Sequence, residues 1–283
     1  MTEPIRWTYA FIDRPAADFA RACAFWTAVT GTTLSEPRGD QAEFVTLLPK
    51  DTDPSLKAQS VTTGPGGAHL DLCVENVPAL IAHATALGAE VVTPHSTWAV
   101  LRSPAGQLFC AVTWHGESVR PPVFEGTRVD QLCLDVPPAA FDTEITFWTT
   151  LTGWNSHPGS RPEFHVLNPP PGLPHRLLLQ RLNTPRPASA HLDLSCTNIP
   201  DSQTHHEHRG ATFTTAHPHW TVMQDPTTTP YCLTSRDPES GRLPPGTAPR
   251  PQGARGTERG RRGGSPWGWW GSPRSGEVES GGG

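Results

Sequence analysis

No run of apolar residues in this chain approaches the roughly 18 that a membrane-crossing helix needs, so no span is expected. The opening stretch, Met1-Thr2-Glu3-Pro4-Ile5-Arg6-Trp7, lacks a basic segment followed by an apolar one, and no signal peptide is expected. The six cysteines contain no C-x-x-C spacing, which removes the usual frame of a structural zinc site. A P-loop, a dinucleotide fingerprint and a Ser-His-Asp order are also missing, so phosphoryl, hydride and acyl transfer find no support. Basic charge is scarce as well. The chain carries a formal −5, and the seven arginines and three glutamates of residues 242–283 give that stretch +4, leaving −9 on the rest. An acidic body argues against nucleic acid as a partner, because phosphate binding wants a basic face.

What the chain does have is a repeat. Ala68-His69-Leu70-Asp71-Leu72 returns letter for letter as Ala190-His191-Leu192-Asp193-Leu194, 122 positions on. The same offset links Phe25-Trp26 to Phe147-Trp148, Thr30-Gly31 to Thr152-Gly153, Gly88 to Gly210, Trp98 to Trp220, Pro104 to Pro226 and Cys110 to Cys232. Markers held at one offset over such a stretch define a tandem duplication. His, Leu, Asp and Leu alternate in the pentapeptide, which is the period of a half-buried strand.

Hydrophobic periodicity places a strand over Trp7–Ile12 and a helix from Pro15 to about Thr30, with Phe19, Cys23, Phe25, Trp26 and Val29 on one face and Gly31 at its end. Strands follow at Phe44–Leu48 and Leu56–Thr62, and a Gly-Pro-Gly-Gly breaker at 64–67 leads to the strand of His69. Asn76 and Pro78 start a second helix carrying Leu80, Ile81, Ala84 and Leu87, and three short strands complete the copy at Glu90–Thr93, Trp98–Ser103 and Leu108–Thr113. The second copy runs from about Val129 to Ser235 in the same order. Its second helix replaces the apolar stripe by Ser202, Gln203, His206 and Arg209 and is expected to be the least stable part. The expected organisation is an α+β domain over 1–120, a second over 121–241 and a disordered Gly/Arg/Pro-rich tail over 242–283, whose composition cannot bury enough apolar surface to fold. Cys23 falls on a helix pattern and the other cysteines on strands, which favours reduced thiols and a cytoplasmic location.

A strand, a helix ending in Phe-Trp-x3-Thr-Gly, a His-Leu-Asp-Leu strand, an Ala-Leu-Gly-Ala helix end and a Ser-Pro-Ala-Gly hairpin together resemble the glyoxalase-like branch of the vicinal oxygen chelate (VOC) superfamily, twice over within residues 7–235. The resemblance implies two paired βαβββ modules per copy around a cleft. It also implies ligands on the first and last strands of each module, where metal-dependent members carry His and Glu. The equivalents here are Tyr9 or Phe11, Gln59, His69 and Cys110 in the first copy, and Gln131 or Cys133, Gln180, His191 and Cys232 in the second. A cysteine stands at the closing position of both copies, so the set is short of anionic oxygen for a hard divalent ion. No cofactor is expected, with a divalent metal as the alternative.

His69 and His191 are the candidate catalytic groups, against a purely structural role at a sheet edge. Gln59, Trp98, Cys110, Gln180, Trp220 and Cys232 join them as candidate ligand-binding residues, although the cysteines read better as buried packing groups. Asp71 shares a strand face with His69, so a carboxylate that favours the charged imidazole is in reach. His205, His206 and His208 look like a metal cluster but read as solvated imidazoles on an eroded helix. Two functions stay open: a module that binds a small organic molecule, and a metal-dependent lyase, isomerase or dioxygenase acting on an oxygen-rich substrate. The expected partners are a small-molecule ligand and, as an open alternative, a second copy of the chain in a homodimer, with no nucleic acid and no membrane.

Overall fold

The computed structural model describes residues 3–95 and 97–244. Each repeat forms its own eight-stranded sheet. The first comprises β1 (Trp7–Pro15), α1 (Ala16–Thr30), β2 (Thr33–Leu34), β3 (Phe44–Leu48), β4 (Leu56–Val61), β5 (Gly67–Val74), α2 (Val77–Ala86), β6 (Glu90–Pro94), β7 (Trp98–Arg102) and β8 (Leu108–Thr113). The second comprises β9 (Thr127–Val136), α3 (Phe141–Thr152), β10 (Asn155–Pro158), β11 (Phe164–Asn168), β12 (Arg176–Arg181), β13 (Ser189–Cys196), α4 (Ile199–Glu207), β14 (Thr212–His217), β15 (Trp220–Gln224) and β16 (Pro230–Thr234). The strand orders, β2-β3-β4-β1-β5-β8-β7-β6 and β10-β11-β12-β9-β13-β16-β15-β14, are the same permutation. In both, a βαβββ module joins its twin through the antiparallel pairing of their opening strands, β1 with β5 and β9 with β13.

Local chemistry sets these boundaries. α1 buries Ala22, Cys23, Phe25, Trp26 and Val29, and Gly31 ends it in the left-handed region (φ +64°), its N–H donating to Thr27 O. Gly66 makes the turn into β5 feasible, since a Cβ there would lie 2.2 Å from the Asp13 carbonyl oxygen. The edge strands β2 and β10 escape sequence reading. They are two and four residues long, largely exposed, and Asn155-Ser156-His157-Pro158 has no apolar alternation.

The eroded helix does form. Asn198 caps α4 by accepting from Asp201 N at 3.3 Å, and Ser202 and His206 take the buried positions. This corrects the expectation for His206, which is not solvated. Its ring is buried, Nδ1 lies 2.8 Å from the Tyr231 hydroxyl, and Phe25 packs edge-on against it. Burial, with Arg209 and His205 nearby, lowers its pKa to about 4, so the ring is neutral. His205 and His208 are exposed as expected. Most of the expected tail, residues 245–283, lies outside the described residues.

The two repeats pack against each other in one compact unit. Phe25 and Trp26 of α1 meet Tyr231 of β16, and Phe147 and Trp148 of α3 meet Phe109 of β8. Each aromatic cluster carries a buried carboxylate, and both carboxylates come from the second repeat. In one, Asp225 accepts from Arg14 Nη2 (2.6 Å), Trp26 Nε1 (3.2 Å) and Thr227 Oγ1 (2.6 Å). In the other, Glu144 of α3 accepts from Trp148 Nε1 and from Ala105 N, both at 2.9 Å. Breaking a buried ion pair leaves a charge without a partner and costs about 3–5 kcal/mol. Asp225→Ala and Arg14→Met are each expected to lower the urea unfolding free energy by about that much, and the double variant by clearly less than their sum. Additive losses would show that the pair is not coupled.

Candidate functional site

In each sheet the side chains of alternate residues on four strands converge on one face. In the first repeat these are Tyr9, Phe11 and Asp13 of β1, Lys57 and Gln59 of β4, His69 and Asp71 of β5, and Cys110 of β8. The register sets Phe11 opposite His69 and Asp13 opposite Gln59, and pairs Asp71 with Cys110. In the second repeat Cys133 stands opposite His191, Asp135 opposite Gln180, and Asp193 beside Cys232. The structure thus brings His69, Gln59 and Cys110 to one site and His191, Gln180 and Cys232 to the other. Trp220 lines the second cleft, stacked on His217 at 4.3 Å. Trp98 stacks on His95 at 3.6 Å at the start of β7.

Each histidine is held between two carboxylates. His69 Nδ1 lies 2.7 Å from Asp13 Oδ2, and its Nε2 lies 3.7 Å from Asp71 Oδ1. His191 Nδ1 lies 3.4 Å from Asp135 Oδ2, and its Nε2 lies 3.5 Å from Asp193 Oδ1. Sequence reading found the inner aspartates but missed Asp13 and Asp135. The signal was there: both sit on the cleft-facing parity of the opening strand, two residues past Phe11 and Cys133.

Burial works to lower the His69 pKa, but Asp13, aided by Cys110, reverses it and holds the imidazole well above its ordinary value. For His191 burial is again opposed, by Cys133 and by Asp135, with the same outcome. Burial pushes the thiols up, Cys133 to about 12 and Cys110 and Cys232 to about 11, so they stay neutral near pH 7. The carboxylates are therefore the anions that keep the rings charged. Asp135 stays lowered despite burial, through His191, Arg186 and Ser189, whereas burial raises Asp193.

A histidine with a raised folded pKa contributes stability that is complete below its unfolded value near about 6.5 and fades as the pH climbs through the folded value. The wild type is expected to lose unfolding free energy from pH 7 upward, and His69→Gln with His191→Gln to flatten that decline. A double variant whose curve runs parallel to the wild type would remove the clamp.

The two clefts differ in what fills them. In the first, Lys57, one of only two lysines in the chain, points its Nζ over the Tyr9 ring at 3.7 Å and lies 3.5 Å from Asp71 Oδ2. Phe11 stacks on His69 with ring centroids 4.3 Å apart, and Tyr9 donates to Glu117 at 2.7 Å from the strap that follows β8. In the second, Leu178 stands where Lys57 does and Cys133 where Phe11 does, and a cavity of about 820 Å³ opens. Pro169 to Pro174, Phe164, Val166 and Trp220 form its apolar wall, and Pro238 to Leu243 border it. Its floor carries a chain of polar contacts. Arg176 and Arg236 donate to Gln131 Oε1 at 2.5 and 2.8 Å, and Gln131 Nε2 donates to Asp193.

The pattern of the family described as "Glyoxalase-like domain" matches residues 9–112 and again 131–234. The chain is thus built on the VOC fold, and it belongs to that glyoxalase-like family, in two tandem copies. Among solved structures, a Mn(II)-bound glyoxalase from Novosphingobium aromaticivorans superposes with a TM-score of 0.57 at 17% identity, over 88% of this chain and 95% of the other. The 2,3-dioxygenase LapB from Pseudomonas sp. KL28 gives 0.58 at 14%, over 83% and 93%. The 2,2',3-trihydroxybiphenyl 1,2-dioxygenase from Sphingomonas wittichii strain RW1 gives 0.56 at 12%, over 86% and 95%. At such identities the likeness is one of fold. No curated protein sequence matches the chain.

The Mn(II) in the Novosphingobium structure raises the question of whether these sites fit a metal. His69, Asp71 and Cys110 present donors within 4.8 Å of one another, as do Cys133, His191 and Asp193. The first set does not fit: although Asp71 Oδ1 has no hydrogen-bond partner, the Lys57 ammonium lies 3.5 Å from Asp71 Oδ2 and repels a second cation there. The second has three donors and an Asp193 Oδ1 without a hydrogen-bond partner, and its His/Cys/Asp chemistry suits zinc better than a hard ion. There a zinc ion would serve as a Lewis acid for a substrate oxygen. Two of its donors carry protons near neutrality, so uptake releases protons and rises with pH. Elemental analysis at pH 7 is expected to find well under one equivalent of divalent ion per chain, and Cys133→Ser to abolish uptake at pH 9. One tightly held ion per chain at pH 7 would overturn this.

Proposed function

We propose that this protein binds a small organic molecule in the cleft of its second repeat, and that the first repeat serves as scaffold. The observation that carries the reading is the contrast between equivalent sites. The second encloses a cavity of about 820 Å³ with apolar walls and a polar floor, a size and lining typical of small-molecule sites. The first is filled by Lys57, Tyr9 and Phe11. His191, held charged against Asp135, serves as a fixed hydrogen-bond donor to the ligand, with Gln180 beside it. The thiols are all free and buried, in keeping with a reducing, cytoplasmic setting.

The second reading is a metal-dependent lyase, isomerase or dioxygenase, favoured by the Cys133, His191 and Asp193 cluster. A thermal-shift screen of metabolites and antibiotics, with and without Mn, Fe, Ni and Zn ions, separates the two. The expected result is a ligand that raises Tm without metal and is recovered unchanged. Its effect is expected to survive His69→Ala and to disappear in His191→Ala and in the cavity-filling Leu178→Trp. Metal-dependent consumption of the ligand would establish the enzyme instead. An effect lost in His69→Ala but kept in Leu178→Trp would place binding in the other repeat.

A further inference from the structure

The second cleft contains a charged side chain, Arg176, that no carboxylate of the described residues contacts. Arg176 opens β12 on the cavity wall, and its Nε is occupied by Gln131 Oε1. Arg236, beside it, donates to the same oxygen but is neutralised by a buried ion pair with Asp130. No carboxylate among the described residues pairs with Arg176. Burial, with Arg236 next to it, lowers its pKa to about 9. Arg176 is half-buried, and Asp130 and Asp193 act on it only from beyond contact, so an anion that reaches its guanidinium is favoured.

The repeat supplies an internal control. Leu56 pairs with Ala10 and Leu177 with Leu132, so Arg176 takes the place of Ser55. By the same register Gln131 takes the place of Tyr9, and Arg236 stands 122 positions after Trp114. Both arginines therefore belong only to the repeat whose cleft is open. The charge around that cleft also runs against the rest of the chain. Arg120, Arg176, Arg236 and Arg242 line it against Asp130, Asp193 and Glu239, with a charged His191 besides, in a protein of formal charge −5. A low-dielectric cleft of that sign draws anions in.

Resting on the reading of this cleft as a binding site, we propose that its ligand is an organic acid with a flat apolar body. The carboxylate sits on the free edge of the Arg176 guanidinium, and the body lies between Trp220 and the Pro169–Pro174 wall. An aromatic acid meets both demands, since planar guanidinium pairs two-pronged with carboxylate and prolines and tryptophan offer flat apolar surface.

The test is calorimetric titration of the full chain with naphthoate and with its neutral isostere, naphthamide. Naphthoate is expected to bind at least tenfold more tightly than naphthamide. Arg176→Gln is expected to erase that preference by weakening naphthoate about tenfold while leaving naphthamide unchanged, and raised salt to weaken naphthoate selectively. Leu178→Trp should abolish both. Circular dichroism and Tm establish that each variant is folded, and Arg176→Lys, which keeps the charge, should retain part of the preference. Equal affinity for acid and amide, or an unchanged preference in Arg176→Gln, overturns the proposal while leaving the binding function standing. Failure of both compounds to bind counts against the proposal and the binding function together.

Discussion

Everything about the two sites depends on one constraint, the antiparallel pairing of opening strands at the centre of each sheet. β1 against β5, and β9 against β13, bring side chains of like parity from two modules to one face. With Phe11 opposite His69, the residue two further along, Asp13, reaches the imidazole from across the sheet while Asp71 reaches it along its own strand. A slip of one residue would send all of them to the helix-packed face. Registry thus places a histidine between two acids, and placement there decides its charge. The same pairing positions Arg14, which donates to the carbonyls of Asp13 and Gly67 and reaches across to Asp225 in the other repeat. Core, interface and cleft are consequently tied to a single strand pair per sheet.

On that shared frame the repeats have diverged widely, and three of the differences decide the clefts. Lys57 against Leu178, Phe11 against Cys133 and Tyr9 against Gln131 separate a packed cleft from an open one. A lysine that sits over Tyr9 and beside Asp71 supplies cation, bulk and counter-charge at once, and it fills the space a ligand would need. Leu178 supplies none of these. Polar atoms near it, including the orphaned Oδ1 of Asp193, remain available. Even the straps after the closing strands follow the repeat: Glu117 and Glu239 stand 122 residues apart, one bonded to Tyr9 and the other paired with Arg128.

Much of this was legible in the chain because it rests on periodicity. The 122-residue offset revealed the duplication, apolar spacing drew the long strands and helices, and the alternating His-Leu-Asp-Leu placed His69 with Asp71 and His191 with Asp193. Features that rest on non-local contact were not legible. Asp13 and Asp135 share the repeat offset and the cleft-facing parity, but only the pairing with the other module shows that they reach the histidines. His206 looked like a surface residue because α4 has no apolar stripe. Its partners, Tyr231 and Phe25, come from 25 residues later in its own repeat and from the other repeat altogether. The openness of one cleft and closure of the other depend on the direction of a few side chains, which spacing does not report.

The interface also shows that a buried, perturbed group need not be a working one. Burial raises the pKa of Glu144, yet it accepts from Trp148, Ala105 and Ser103 and lies at the packing of α3 on the first repeat. Asp225 is as deeply buried and has still more donors. Such groups are satisfied by the fold, and their chemistry ends there. The cleft residues differ in kind rather than degree. Asp193 keeps an oxygen that makes no hydrogen bond, Arg176 keeps a guanidinium edge without an anion, and both face the same cavity. Charge left unmet inside a desolvated cleft is costly to the free protein, and a ligand that meets it is bound with the energy so released.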